Sequence, residues 1–441
     1  MATFVKKLVE KASSKKPGVL SDTLKPDDVD PRLVFHYGIP SSSFLLEYNS
    51  IRQILAIATK DGQIKLYGKY GSQALLESSE AVPSKILLFM ENQGVLVNVN
   101  VNNHIEVWDI DTNCLSTFHC YEKDITSIGA MWHTPYLYIG DSSGYISVLR
   151  VDQEQQYIEQ MKYHIPLSAS HGKHNEVESE IPVKYILPQP TAETKRVLII
   201  YCDGVITLWA IQESIVICTS ISTTLQSLCE ETKKVTAACW ASTGGTKVAV
   251  GYSNGDILLW SVPCPSDSKS EQLSINETSG GQISPVCKLN LGYKADKIPI
   301  SKLKWIDADG KSSRLYVLGI SGNFSANLQV VLVNEHTESR TIKLTLNPAE
   351  SLVDLEIITS SIEHKRHDSL LLLGKSSQIY SYDDCLIERY LVQCQNKSSP
   401  SLPKEQMVKL PYADSSITVT KFLTSLPSTP CSSGSHICIE I

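Results

Sequence analysis

A strand–turn–strand unit recurs seven times along this chain, and that repetition limits the fold more than any single residue does. The units lie at residues 55–67, 95–108, 136–149, 196–209, 247–260, 314–331 and 369–382. Each opens with a short apolar run such as Leu55-Ala56-Ile57-Ala58. A turn rich in Gly, Asn, Asp or Ser follows, and then a second run that often ends in an aromatic. Asp61-Gly62, Asp203-Gly204 and Asn254-Gly255 tolerate the positive φ of a tight hairpin turn. Apolar residues alternate with small or polar ones, as half-buried strands require.

Outer strands fit around each hairpin. Residues 43–48, 125–131 and 235–240 precede hairpins, and 73–76, 114–120 and 215–219 follow them. Four strands per unit, repeated seven times, predict an all-β fold, a seven-bladed WD-type β-propeller with little helix. Ile64, Ile105 and Ile146 stand about 40–45 residues apart, the length of a WD-type blade. Later intervals are longer. The excess falls in polar stretches at 168–180, 220–234 and 263–285, which read as exposed insertions.

The domain reading has three parts. Residues 1–31 form a basic segment and linker, 32–394 the propeller, and 395–441 a linker, a lone strand at 417–423 and a disordered tail. In the seventh unit, 387–393 reads as the fourth strand. The formal net charge of −7 argues against a dedicated nucleic-acid binder. No apolar run reaches the roughly 18–20 residues of a membrane span, and 1–18 lacks the apolar stretch of a secretory signal. The 12 cysteines include no Cys-x-x-Cys, which fits free thiols in a reducing compartment.

Residues 26–68 carry a more specific pattern. They contain His36, Gly38, Ile39 and Pro40, then Leu55 to Thr59, Gly62, Ile64 and Lys65. This resembles the N-terminal region of the tomosyn and lethal giant larvae family, which has a His-Gly-apolar-Pro element before a first blade of this kind. Tyr37, between His36 and Gly38, departs from the family pattern. The start, Met1-Ala2-Thr3-Phe4-Val5-Lys6-Lys7, is also similar. The resemblance implies binding to syntaxin-class SNARE proteins and Rab-type small GTPases during vesicle exocytosis. It also implies possible partners in myosin, GTPase-activator activity, and a cytoplasmic site with peripheral association at the plasma membrane. Family members have two propellers, and tomosyns end in a SNARE helix. Residues up to Ile441 hold one propeller and no heptad run.

Catalytic and metal-binding motifs are sparse, and the reading assigns no catalytic residue, metal or cofactor. His171-x-x-His174 and His364-x-x-His367 lie in polar sequence with no third ligand spaced to join them. The phosphate-loop pattern is absent. Inner strands read as mostly Val, Ile, Ala and Leu, which argues against an enzyme site in the channel. Asp27-Asp28 and Asp383-Asp384 read as turn caps. Trp108-Asp109 is followed by Ile110-Asp111, so the Trp-Asp-x-Arg of many ubiquitin-ligase substrate receptors, the alternative adaptor reading, lacks its Arg.

Two segments stand out as candidate functional sites. Phe4, Val5, Leu8 and Val9 recur at helical spacing opposite Lys6, Lys7, Lys11, Lys15 and Lys16, predicting a short basic helix for anionic lipid. Ser266, Ser268, Ser270 and Ser274 lie among acidic residues and suit phosphorylation. If the lysines bind lipid, cosedimentation with anionic vesicles falls as salt rises, because exposed charges are screened over about 8–10 Å. Replacing Lys6, Lys7 and Lys11 with Glu then weakens it further. Salt-independent sedimentation would leave the segment with a packing role only.

Overall fold

Each of the seven hairpins becomes the middle of its own antiparallel sheet. The computed structural model describes residues 38–408, apart from 79, 91–92, 173–179, 191–194, 221–232, 265–280, 290, 292–297, 308–312, 322–323, 326–327, 335–336, 338–340 and 363–364. The first strands of the blades are Ser43–Asn49, Ser84–Met90, Ile125–Ala130, Val183–Pro188, Val235–Trp240, Ile300–Ile306 and Leu352–Ile362. Each touches the next in an unbroken ring, blade seven to blade one included. The result is a seven-bladed β-propeller whose first strands line a central channel.

The middle strands are buried on both faces, not one. In Arg196–Tyr201, Leu198 and Ile200 pack toward blade five, while Val197, Ile199 and Tyr201 pack toward blade three. One strand thus feeds two cores, which is why its apolar run is continuous where a half-exposed strand would alternate. Seven apolar clusters result, one per seam between blades. At the hairpin tip of blade one, Gly62 adopts φ +83°, and a Cβ there would sit 2.5 Å from the Glu80 carbonyl oxygen. Both conditions select glycine.

A β-bulge interrupts the start of every first strand where it pairs with the second. Bulges sharpen twist and re-aim a side chain. In blade three the displaced residue, Thr126, donates to the Gly140 carbonyl at 3.2 Å and to Val183 of blade four at 2.7 Å.

Among the described residues the ring closes without a shared strand. Blade one is built wholly from residues 43–77 and blade seven from 352–407. The seam between them is apolar, with Ile39, Leu46, Ile57, Leu371 and Leu373 at its centre. Polar bonds fix its register: Ser43 N–H donates to Ser377 Oγ at 3.2 Å, and Tyr48 hydroxyl to the Thr359 carbonyl at 2.8 Å. Gly38, Ile39 and Pro40 are buried there, and the Tyr67 hydroxyl donates to the Gly38 carbonyl.

Blade seven differs from the sequence reading. Residues 387–393 are helical, within the helix Asp384–Gln395, and the outer strand is Gln406–Met407, paired with Tyr380 and Ser381. Asp383 caps this helix by accepting from Cys385 N–H at 2.9 Å. Ile387 and Leu391, one turn apart, bury in the seam between blades six and seven. Asp384 does not cap a turn. It is buried against Arg314, whose Nε donates to it at 2.9 Å, and it accepts from the Tyr316 hydroxyl.

The 263–285 stretch is likewise not wholly an exposed insertion. Its end, Gly281–Ile283, runs parallel to Ile215–Ser220 as a fifth strand on blade four, before Pro285–Leu289 completes blade five. The serine cluster at 266–274, the lysines of 1–18 and the strand at 417–423 lie outside the described residues.

Asp354 of blade seven links three blades. One carboxylate oxygen accepts Leu46 N–H of blade one at 2.7 Å, and the other accepts Lys302 of blade six at 2.6 Å. Replacing Asp354 with Ala orphans a buried N–H and strips Lys302 of its nearer carboxylate, leaving Glu356 at 3.9 Å. Stability falls by about 2–4 kcal/mol in urea-melt experiments. A loss under about 1 kcal/mol would show that water satisfies the freed groups.

Candidate binding site in the central channel

Antiparallel strands send alternate connections to opposite faces of the ring. Links from first to second and from third to fourth strands lie on one face; links from second to third and from one blade to the next lie on the other. The connections that leave Tyr157–Ile165 and Ile215–Ser220 both run between blades, so they start from the second face. The connection that leaves Ile257–Ser261 and the helix Asp384–Gln395 join third to fourth strands and start from the first face.

Beside the mostly apolar residues expected from sequence, the channel wall carries a cluster of charged side chains. Blade six contributes Lys302 and Lys304, blade seven Asp354 and Glu356, and blade one Glu47. Lys302 bonds Asp354 at 2.6 Å and approaches Glu356 at 3.9 Å, while Lys304 bonds Glu356 at 2.8 Å. The signal was present as Lys302-x-Lys304 and Asp354-x-Glu356. A two-residue period places both members of each pair on one side of a strand.

On the face of the first-to-second strand turns, the channel opens into a cavity of about 230 Å³. Leu88, Ile128 and Ile186 supply apolar wall from blades two, three and four. Glu47 supplies the acid, and Trp132 and His133 belong to the turn at the mouth. The Trp132 side chain is 56% exposed. Gln93 ties the mouth together by donating to the Thr134 carbonyl at 2.5 Å.

Burial pushes the Glu47 carboxyl up to about 7. Lys304 and Lys302 pull it down, and Glu356 and Asp354 push it further up. The Cys239 thiol on the blade-five wall is pushed up to about 12 by burial, so it stays protonated and is a poor nucleophile at neutral pH.

Of the histidines singled out from sequence, His171 pairs with Asp203 at 3.0 Å and packs edge-on to Tyr201. His174, His364 and the His367 side chain fall outside what is described. Among the described residues no cluster of three His, Cys, Asp or Glu side chains suits a metal ion, and no helix is long and apolar enough to cross a membrane. Trp108-Asp109 has structural partners. Trp108 Nε1 donates to the buried Glu106 at 3.2 Å, and Asp109 accepts from the N–H groups of Asp111 and Thr112 at 2.8 and 3.0 Å.

No family model matches the sequence. Among solved structures, the fold is shared with the β-propeller domain of Cps50 (Swd1) from Myceliophteria thermophila. The TM-score is 0.57 at 12% identity, over 78% of this chain and 97% of that one. Sqt1 of Saccharomyces cerevisiae matches at TM-score 0.53 and 11% identity, over 79% of this chain and 97% of that one. At such identities the likeness is one of fold.

The Glu47 shift makes stability pH-dependent. The folded carboxyl, near 7, binds its proton more tightly than the ordinary group near 4.5. Its contribution is therefore fully present below about 4.5 and is lost as pH rises through about 7. Replacing Glu47 with Gln removes that loss. The melting temperature of the variant relative to the parent chain rises between pH 5 and pH 8. A difference that stays constant across this window would place the Glu47 carboxyl in its ordinary range.

Proposed function

We propose that this chain is a non-catalytic scaffold of the tomosyn and lethal giant larvae type. It binds syntaxin-class SNARE proteins in vesicle exocytosis, with Rab-type GTPases as further partners. The observation that carries this reading is the residue pattern from His36 through Gly38-Ile39-Pro40 to Gly62, Ile64 and Lys65. The propeller fold is consistent with it, because rigid blades present connecting loops to a partner while the scaffold stays fixed. In this reading the propeller holds a partner helix and either withholds it from a fusion complex or delivers it to one. The basic segment 1–18 supplies peripheral contact with anionic membrane at the cytoplasmic side.

The test uses purified components. Immobilised full-length chain is exposed to syntaxin-class SNAREs and to GTP-loaded Rab proteins, and binding is read by interferometry. The expected result is saturable binding of a SNARE with no detergent-resistant complex, since residues 395–441 carry no heptads. Absence of binding to either class, together with ubiquitin-ligase subunits in a native affinity purification, would replace this reading with the adaptor one.

A further inference from the structure

We infer that the channel cavity is a binding site for one cationic side chain, a guanidinium of a partner polypeptide, with Glu47 as its counter-charge and Trp132 as its lid. The inference stands on the cavity itself and does not depend on the identity of the partner proposed above.

Charges on this side of the channel do not balance. Three carboxylates and two ammonium groups face one another across blades six, seven and one. Lys302 and Lys304 are engaged by Asp354 and Glu356 at 2.6 and 2.8 Å. Glu47 is the carboxylate of this set with no ion pair within 4 Å among the described residues, and it is the one that lines the cavity. Glu47 is half-buried, and a partly desolvated carboxylate without an ion pair is costly; a cation brought into hydrogen-bonding contact offsets that cost. Guanidinium fits better than ammonium, because its planar fork can bond a carboxylate with two parallel N–H groups while its face stacks on an aromatic ring.

At about 230 Å³ the cavity is smaller than the roughly 300–1,000 Å³ pockets that hold drug-sized ligands. It suits a single long side chain. Leu88, Ile128 and Ile186 would cover its methylene stem while the charged tip reaches Glu47. An exposed indole stands at the mouth. Trp is the best cation–π platform and is enriched among interface hot spots, and Trp132 is 56% exposed here.

Binding is linked to protons. Lys302, Lys304, Asp354 and Glu356 face Glu47 from blades six and seven, and His133 shares its cavity. Below about 7 Glu47 holds its proton, and an arriving cation must displace it. Affinity therefore falls as pH drops below that point, by up to about tenfold per unit.

The experiment titrates the full chain with N-acetyl-arginine amide and with its neutral isostere, N-acetyl-citrulline amide, by calorimetry at pH 8 and pH 6. The arginine derivative is expected to bind at least about fivefold tighter than the citrulline one at pH 8, and more weakly at pH 6. Glu47→Gln is expected to abolish the arginine preference and flatten the pH profile. Trp132→Ala, on an exposed turn and so without consequence for folding, is expected to weaken arginine binding about two- to fivefold. Equal binding of the two probes, no binding of the arginine derivative, or an arginine preference that survives Glu47→Gln would each overturn the proposal.

Discussion

Closure of the ring is the constraint on which the remaining structure depends. Among the described residues no strand is shared between the first and last blades, and no backbone ladder spans the seam between blades seven and one. Side chains carry that seam instead. Asp354 is central because its two oxygens reach in opposite directions, one to Leu46 N–H of blade one and one to Lys302 of blade six. An acid in this place gives what an apolar residue cannot. It fixes the axial register of one sheet against the next, whereas apolar contact alone is non-directional.

No blade is stable by itself in such an architecture. Each middle strand buries alternate residues in two different seams, as Leu198 and Val197 do, so a blade removed from the ring exposes both faces. Neighbouring blades are therefore tied together by more than contact. Thr126 reaches from blade three to blade four, Gly281–Ile283 of the blade-five connection adds a strand to blade four, and the helix Asp384–Gln395 buries Ile387, Leu391 and Asp384 against blade six. The buried Arg314–Asp384 pair fixes where that helix begins, since its acid is also the first residue of the helix.

The hairpins were legible in the sequence because their signals are local. Asp61-Gly62 and Asn254-Gly255 state a turn by themselves, and the apolar runs beside them state strands. Residues 387–393 were misread for a related reason. Ile387, Tyr390 and Leu391 have the spacing of a helix face, but the expectation of a fourth strand at that point in the repeat outweighed it. The bulge at the start of every first strand has no composition of its own, as Thr126 and Ser301 are ordinary strand residues. The candidate site was hidden differently. Glu47, Trp132 and Ile186 lie far apart in sequence and belong to three blades, and only closure of the ring brings them to one cavity. The segments that sequence marked most strongly, with their lysines and serines, lie outside the described residues.

The channel is asymmetric, and the asymmetry follows from closure. Charged side chains concentrate on blades six, seven and one, where the seam needs directional bonds, and the opposite wall, from blades two to four, is apolar with Leu88, Ile128 and Ile186. Lys302 and Lys304 can satisfy Asp354 and Glu356, but a third carboxylate exceeds what two ammonium groups can neutralise. Glu47 sits where the two walls meet, close enough to the ion pairs to feel them and open to the cavity on its other side. A proton can neutralise it, which is the physical content of its raised pKa. A cation entering from the mouth would neutralise it as well, so the feature that closes the propeller also leaves the channel selective for positive charge.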